Sequence, residues 1–289
     1  MIVVTGGTGT VGSSLVELLV ECGEQVRIFC RDAEKVHRQF GGRAETATGD
    51  FGSRDSLRAA FAGAEKVFLL TAGAAEPGKQ LEHERSVITA ARDARVVHVV
   101  KLSVLGADEE SPIHYLRWHR EAEKELEASG LTYTILRPAG FMQNLLEWAA
   151  DGSIYTCTAD GRSPLVDTRD IAAVAAVVLT ENGHQGKTYD LTGLEMLSYD
   201  EIAEKLSYAS GREIRHVQVT PAILVQTMMN AGLPHWLAED IALQFEGYAT
   251  GHVPQTSSDI TAVTGLKPHS FDAFAREEFA TAQLKQPSH

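Results

Sequence analysis

The chain is short of the residues that several classes of protein depend on. Its 289 residues include three cysteines, Cys22, Cys30 and Cys157, and no two of them stand in a C-x-x-C pair. An odd number at irregular spacing excludes a disulfide framework and offers no metal-ligand pattern, so no metal site and three structural thiols in a reducing compartment are expected. Basic residues are outnumbered, 26 against 39 acidic, for a formal charge of −13. Binding to phosphate backbones needs clustered Lys and Arg, and here they are dispersed, which excludes nucleic acid or an anionic membrane as a main partner. The longest wholly apolar run, Ile171 to Leu179, falls far below the ~20 residues that cross a bilayer. The opening residues carry neither region of a signal peptide, and a cytoplasmic location is expected. Hydrolase signatures are missing too: there is no G-x-S-x-G elbow, no H-E-x-x-H and no paired-carboxylate pattern.

What the chain has in quantity is apolar residues, 44% of the total, enough for a sizeable core. Its most informative segment is Ile2 to Gly12. A short apolar strand runs into glycines at positions 6, 9 and 12 and then into a helix striped with Val11, Leu15, Leu18 and Leu19. Such a turn lets a pyrophosphate approach bare amides on the positive end of a helix. A second strand from Gln25 to Cys30 completes a βαβ unit of about the length that dinucleotide sites use.

Strand-like runs recur at 2–4, 26–30, 44–48, 67–71, 96–103 and 133–137, separated by helical patterns at 13–22, 33–40, 55–62, 79–94 and 115–129. Alternation of this kind predicts an α/β fold with a Rossmann-type doubly wound parallel sheet. Residues 1–152 form its expected extent, with strand and helix from about 163 to 192 rejoining it. Residues 193–289 are expected to form a smaller, mostly helical C-terminal lobe, and 138–152 contribute to the cleft. Cofactors bind beyond the carboxyl ends of such strands, which directs attention to Arg31, Asp50, Thr71 to Gly73, Ser103 and Pro138.

At the end of the second strand an NAD site places an acidic residue on the ribose, whereas an NADP site supplies an arginine. Here Arg31 occupies that place and Lys35 lies one turn further on. Asp32 precedes a helix and suits its N-cap. The arrangement favours NADP(H).

With the turn Thr5–Gly12, Arg31, the Gly49-Asp50-Phe51 strand end, the segment Ser129 to Pro138, Phe141-Met142-x-Asn144, Val166 to Ala172 and Gly186 to Tyr189, the chain resembles the NmrA-like family of atypical short-chain dehydrogenases/reductases. The similarity runs nearly end to end. Within the family it is most similar to the bacterial branch of NADPH-dependent quinone reductases and triphenylmethane dye reductases. The resemblance implies that Gly6, Thr8, Gly9, Thr10 and Val11 contact the pyrophosphate, Arg31 the 2′-phosphate, and Asp50 with Phe51 the adenine. Thr71, Ala72 and Gly73 would pass the nicotinamide ribose.

Typical members of the larger superfamily pair a serine with Tyr-x-x-x-Lys. This chain offers Ser103, Tyr115 and His119 as the catalytic candidates, with histidine in the lysine position. Tyr115 and His119 are four apart and share a helix face. The alternatives are an aromatic wall for Tyr115 and a surface histidine for His119. Phe141, Met142 and Trp148 are candidates for an apolar substrate wall, with Asn144 as a directional hydrogen-bonding group, although each also suits an ordinary core position. Two functions follow: an NADPH-dependent reductase passing hydride to a small conjugated acceptor such as a quinone, or an NADP(H)-binding redox sensor without turnover. The expected partner is a small-molecule substrate, and a homodimer is left open.

Overall fold

β-branched residues buried on both faces make Ile2–Thr5 the strand β1 at the centre of the molecule. The computed structural model describes residues 1–71, 76–252 and 255–284, so Ala72 and Gly73 of the expected cofactor set lie outside the described residues. From β1 the chain alternates regularly. Helix α1 (Thr10–Glu21), β2 (Val26–Cys30), α2 (Ala33–Phe40), β3 (Glu45–Thr48), α3 (Arg54–Phe61) and β4 (Lys66–Leu69) come first. They are followed by α4 (Lys79–Asp93), β5 (His98–Leu102), α5 (His114–Ala128) and β6 (Tyr133–Pro138).

Past β6 the chain leaves the sheet through a 3-10 turn at Met142–Asn144 and the short α6 (Leu145–Trp148), β7 (Ser153–Thr156) and β8 (Arg162–Ser163). Helix α7 (Thr168–Thr180) then packs along α1, and β9 (Thr188–Leu191) pairs in parallel with β6. The sheet has seven parallel strands in the order β3-β2-β1-β4-β5-β6-β9. Its order reverses between β1 and β4, which opens the ligand crevice at their carboxyl ends. α1, α2 and α7 cover one face around Leu15, Val36 and Ile171. α3, α4 and α5 cover the other around Leu57, Val87 and Leu126.

The remaining elements are β10 (Leu197–Ser198), α8 (Tyr199–Ser210), β11 (Arg215–Gln218), α9 (Pro221–Asn230), α10 (His235–Ala249), α11 (Asp259–Thr264), α12 (Phe271–Phe274), a π-helical turn at Ala275–Phe279 and α13 (Ala280–Leu284). Most of them close a second core, built on Met142, Leu145, Tyr199, Phe245, Phe271 and Phe274. Two small sheets brace it: β7 pairs with β11 in parallel and β8 with β10 in antiparallel. Helix α11 departs from the expected lobe, because Ile260 packs in the core of α1 and α7. A buried carboxylate ties the lobe to the sheet. Helix α5 has no side-chain cap of its own, and Asp240 of α10 accepts from the Tyr115 amide at 3.1 Å and lies 2.8 Å from His114 Nδ1. The three thiols are unpaired, and Cys22 is exposed at the end of α1.

Candidate cofactor and active site

The turn after β1 is built from main chain. Gly6 takes a left-handed conformation, φ +68°, and its carbonyl accepts from Gly9 N–H at 3.0 Å. A Cβ at Gly12 would stand 2.2 Å from that carbonyl oxygen, so only glycine lets α1 begin this close to the strand. Helix α1 has no side-chain cap and no acidic residue in its first turn. Its first amides, those of Thr10, Val11 and Gly12, donate to no described backbone acceptor, as an anion site on a helix N-terminus requires. The Val11 side chain is buried in the core, which leaves its amide for a ligand. Thr8 is half-buried and Thr10 exposed. The residues present therefore fit a pyrophosphate. Sequence reasoning missed Thr5, whose hydroxyl donates to Leu70 O at 2.9 Å and accepts from Leu70 N–H at 2.8 Å, stapling the ends of β1 and β4 beneath the turn.

At the end of β2, Arg31 is exposed and forms no hydrogen bond or ion pair with any described residue. Lys35 is exposed as well. Asp32 caps α2 by accepting from Lys35 N–H at 3.0 Å, which occupies the carboxylate that an NAD site would turn to the ribose. Asp50 serves first as a turn former, accepting from Gly52 N–H at 2.7 Å. Phe51 is wedged between the edge of Phe29, at 5.3 Å, and the ring of His83, at 5.2 Å.

Under the ends of β4 and β5 the structure places a charge network that sequence reasoning did not identify. Lys101, on β5, is fully buried and donates to Glu84 of α4 at 2.8 Å. Glu84 also accepts from Thr71 Oγ1 and from the Gln80 amide, each at 3.3 Å. His119 joins this network through both nitrogens: Nδ1 lies 3.2 Å from Lys101 Nζ and Nε2 lies 2.9 Å from the Gln80 amide. An ammonium from the neighbouring strand therefore lies beside the histidine, but it is paired with Glu84. Burial, reinforced by Lys101, pushes His119 well below the usual histidine range and keeps the imidazole neutral.

Ser103 is committed elsewhere. Its hydroxyl donates to buried Glu123 at 2.5 Å, and Arg137 and Arg120 hold the same carboxylate. Burial alone would push Glu123 up, but the bonds from Arg137 and Ser103 hold it below the usual carboxylate range. Burial first, then the neighbouring Tyr248 and Asp240, push the Tyr115 phenol well above its usual range. Among the described residues no hydrogen bond joins any two of Ser103, Tyr115 and His119. Tyr115 is held by the lobe, and His119 by β5 and α4.

Of the apolar wall, Met142 is buried in the lobe core, and Phe141 is partly buried and bridges to Val166. Trp148 is 38% exposed with its edge on Phe245, and Asn144 is exposed. The polar hub of this segment is the neighbouring Gln143, which donates to Asp167 at 2.9 Å and to Glu278 at 3.1 Å and accepts from the Thr168 amide. Among the described residues no cluster of His, Cys, Asp or Glu has metal-binding geometry.

Comparison with known proteins identifies the same cofactor class. The chain is 35% identical to an NAD(P)H azoreductase from Xenophilus azovorans, over 97% of this chain and 98% of the relative. It superposes on the Escherichia coli NADPH-dependent quinone oxidoreductase solved with NADPH, with a TM-score of 0.86 and 28% identity over 96% of this chain and 100% of that one. The Citrobacter sp. triphenylmethane reductase solved with NADP(H) gives a TM-score of 0.83 and 29% identity over 96% of this chain and 99% of that one. The family described as NAD(P)H-binding matches residues 6–182, and this chain belongs to it.

Proposed function

We propose that this protein is an NADPH-dependent reductase that passes hydride to a flat conjugated acceptor, such as a quinone or a related aromatic compound. The observation that carries the reading is that the cofactor end is open while the protein acids are engaged. Free amides and unpaired Arg31 stand ready for an anionic dinucleotide, whereas the Ser103 hydroxyl donates to Glu123 and the His119 ring is packed between Lys101 and Gln80. An electrophilic acceptor suits such a site, because its reduced product takes protons from water and the main protein task is to stack and orient it.

The bound cofactor supplies the hydride. In this reading Gly6, Thr8, Gly9, Thr10, Val11 and Gly12 hold the pyrophosphate, Arg31 and Lys35 the 2′-phosphate, and Asp50 and Phe51 the adenine. Thr71, Ala72, Gly73 and Ser103 line the nicotinamide side. Tyr115 keeps its proton and orients the acceptor as a hydrogen-bond donor, and His119 shapes the floor. Phe141, Met142, Asn144 and Trp148 border the acceptor on the lobe side. We also place the enzyme in the cytoplasm. The unpaired thiols support this, and among the described residues no helix is long and apolar enough to cross a membrane.

The test follows loss of nicotinamide absorbance with a panel of quinones, azo dyes and cationic dyes. Turnover with at least one of them is expected, and Arg31→Ala should weaken NADPH binding by about ten- to a hundredfold while sparing NADH. Cofactor binding without oxidation by any acceptor would favour the sensor reading instead.

A further inference from the structure

Helix α4 carries to the adenosine end two side chains that the glycine turn and Arg31 leave out of account. Lys79 and His83 are one turn apart and share a face. The His83 ring lies against Phe51 with the planes inclined by 32°, while Phe29 meets Phe51 edge-on from another side. Phe51 is thereby enclosed, and half-buried His83 provides the aromatic surface beside it. The charged groups facing His83 are Arg31 from the end of β2, Asp50 from the end of β3, and Lys79 and Glu82 of its own helix. Lys79 is bound by Glu82 at 2.7 Å. Arg31 and the imidazole make no hydrogen bond with any described residue, and the Arg31 charge reaches His83, so both groups stand at the adenosine end with polar atoms uncommitted.

We propose that His83 is a specificity-determining residue for the cofactor, standing with Arg31 around the 2′-phosphate and presenting a charge, in its protonated form, that NADH cannot use. This rests on the cofactor site described under the proposed function. In the free protein, burial lowers the His83 pKa; Asp50 and Glu82 oppose that, and Lys79 and Arg31 reinforce it. A phosphate dianion raises it again, so proton uptake and NADPH binding favour each other, as linkage demands. Preference for NADPH over NADH should therefore grow as pH falls through the histidine range. The phosphate itself takes up a proton near pH ~6, and comparison with variants lacking the imidazole removes that contribution.

The experiment measures dissociation constants of the full chain for NADPH and NADH at about pH 5.5 and about pH 7.5, for the wild type, His83→Gln, His83→Phe and Arg31→Ala. Relative to His83→Gln, the wild type should gain about three- to fivefold more NADPH preference on acidification, the range of a half-exposed ion pair. His83→Phe keeps an aromatic face without charge and should match His83→Gln in its pH response. If both variants keep the wild-type response while Arg31→Ala weakens NADPH and spares NADH, the role of His83 is overturned and the site stands. Equal loss of NADPH and NADH in Arg31→Ala overturns the site itself.

Discussion

The two halves of the cofactor crevice are made of different material. Beyond β1, β2 and β3 the working parts are main-chain amides, glycines and exposed side chains, with Arg31 left free and Asp32 spent on a cap. Beyond β4, β5 and β6 they are sealed ions: Lys101 and Glu84 are 0% and 1% exposed, and Glu123 is 0% exposed beneath Arg137 and Arg120. The first half has groups available to meet a charged ligand. The second has few, because its charges already neutralise one another, and this suits chemistry in which the protein positions reactants rather than exchanging protons with them.

Breaking the sealed half should have the largest effect. Lys101→Met leaves the Glu84 carboxylate buried with only Thr71 and Gln80 as neutral donors, and should cost about 3–5 kcal/mol in urea unfolding. Lys101→Met combined with Glu84→Leu removes both charges and should recover most of that loss. A single substitution costing less than about 1 kcal/mol would show that the pair does not hold this half together, and the contrast between the halves would lapse.

The same sealing extends to neutral histidines. His98 at the start of β5 is buried, its Nε2 2.9 Å from Thr134 Oγ1, and Thr134 in turn donates to the His184 carbonyl at 2.7 Å. Burial, with Lys66 and His184 nearby, lowers its pKa from 6.5 to about 4. Between those values the unfolded chain binds a proton that the folded chain refuses, so stability falls as pH falls. The contribution is intact above about pH 6.5, is lost progressively down through about pH 4, and amounts to about 3 kcal/mol in full. His119 acts in the same direction. Unfolding curves across this range should be markedly flatter for His98→Gln; parallel curves for the two proteins would remove His98 from the account.

How legible each half is in the sequence follows from what it is made of. A main-chain site needs glycines at fixed spacing between a strand and a helix, and these are neighbours in the chain. Gly6, Gly9, Gly12, Arg31 and the Asp32 cap could therefore be read directly. The parallel sheet was legible for the same reason, since each βαβ unit is local. Lys101 was not, because Val99-Val100-Lys101-Leu102 reads as an apolar strand interrupted by one charge, and its partner Glu84 lies in the polar stretch Lys79 to Ser86. Only the placement of α4 and α5 over β5 brings Glu84, His119 and Lys101 together. The Thr5 staple likewise depends on β1 lying beside β4. The paired strands β8 and β10 are two residues each, too short to show a period.

The smallest expected effect sharpens the comparison at the open half. Asp32 accepts from Lys35 N–H, and its other oxygen lies 4.0 Å from Arg38, both on the surface. If capping is its role, Asp32→Ala costs about 1 kcal/mol of stability, and Asp32→Asn, which retains an acceptor oxygen, costs only a few tenths. Neither should weaken NADH binding, and loss of a carboxylate beside Arg31 should tighten NADPH slightly by removing repulsion from the 2′-phosphate. A carboxylate that instead bound the ribose hydroxyls would give the reverse pattern. Asp32→Asn would then leave unfolding unchanged while weakening NADH by about tenfold or more, the size of a hydrogen bond to a charged group. Stability and the two dissociation constants, measured on the same pair of variants, decide whether this carboxylate belongs to the helix or to the coenzyme.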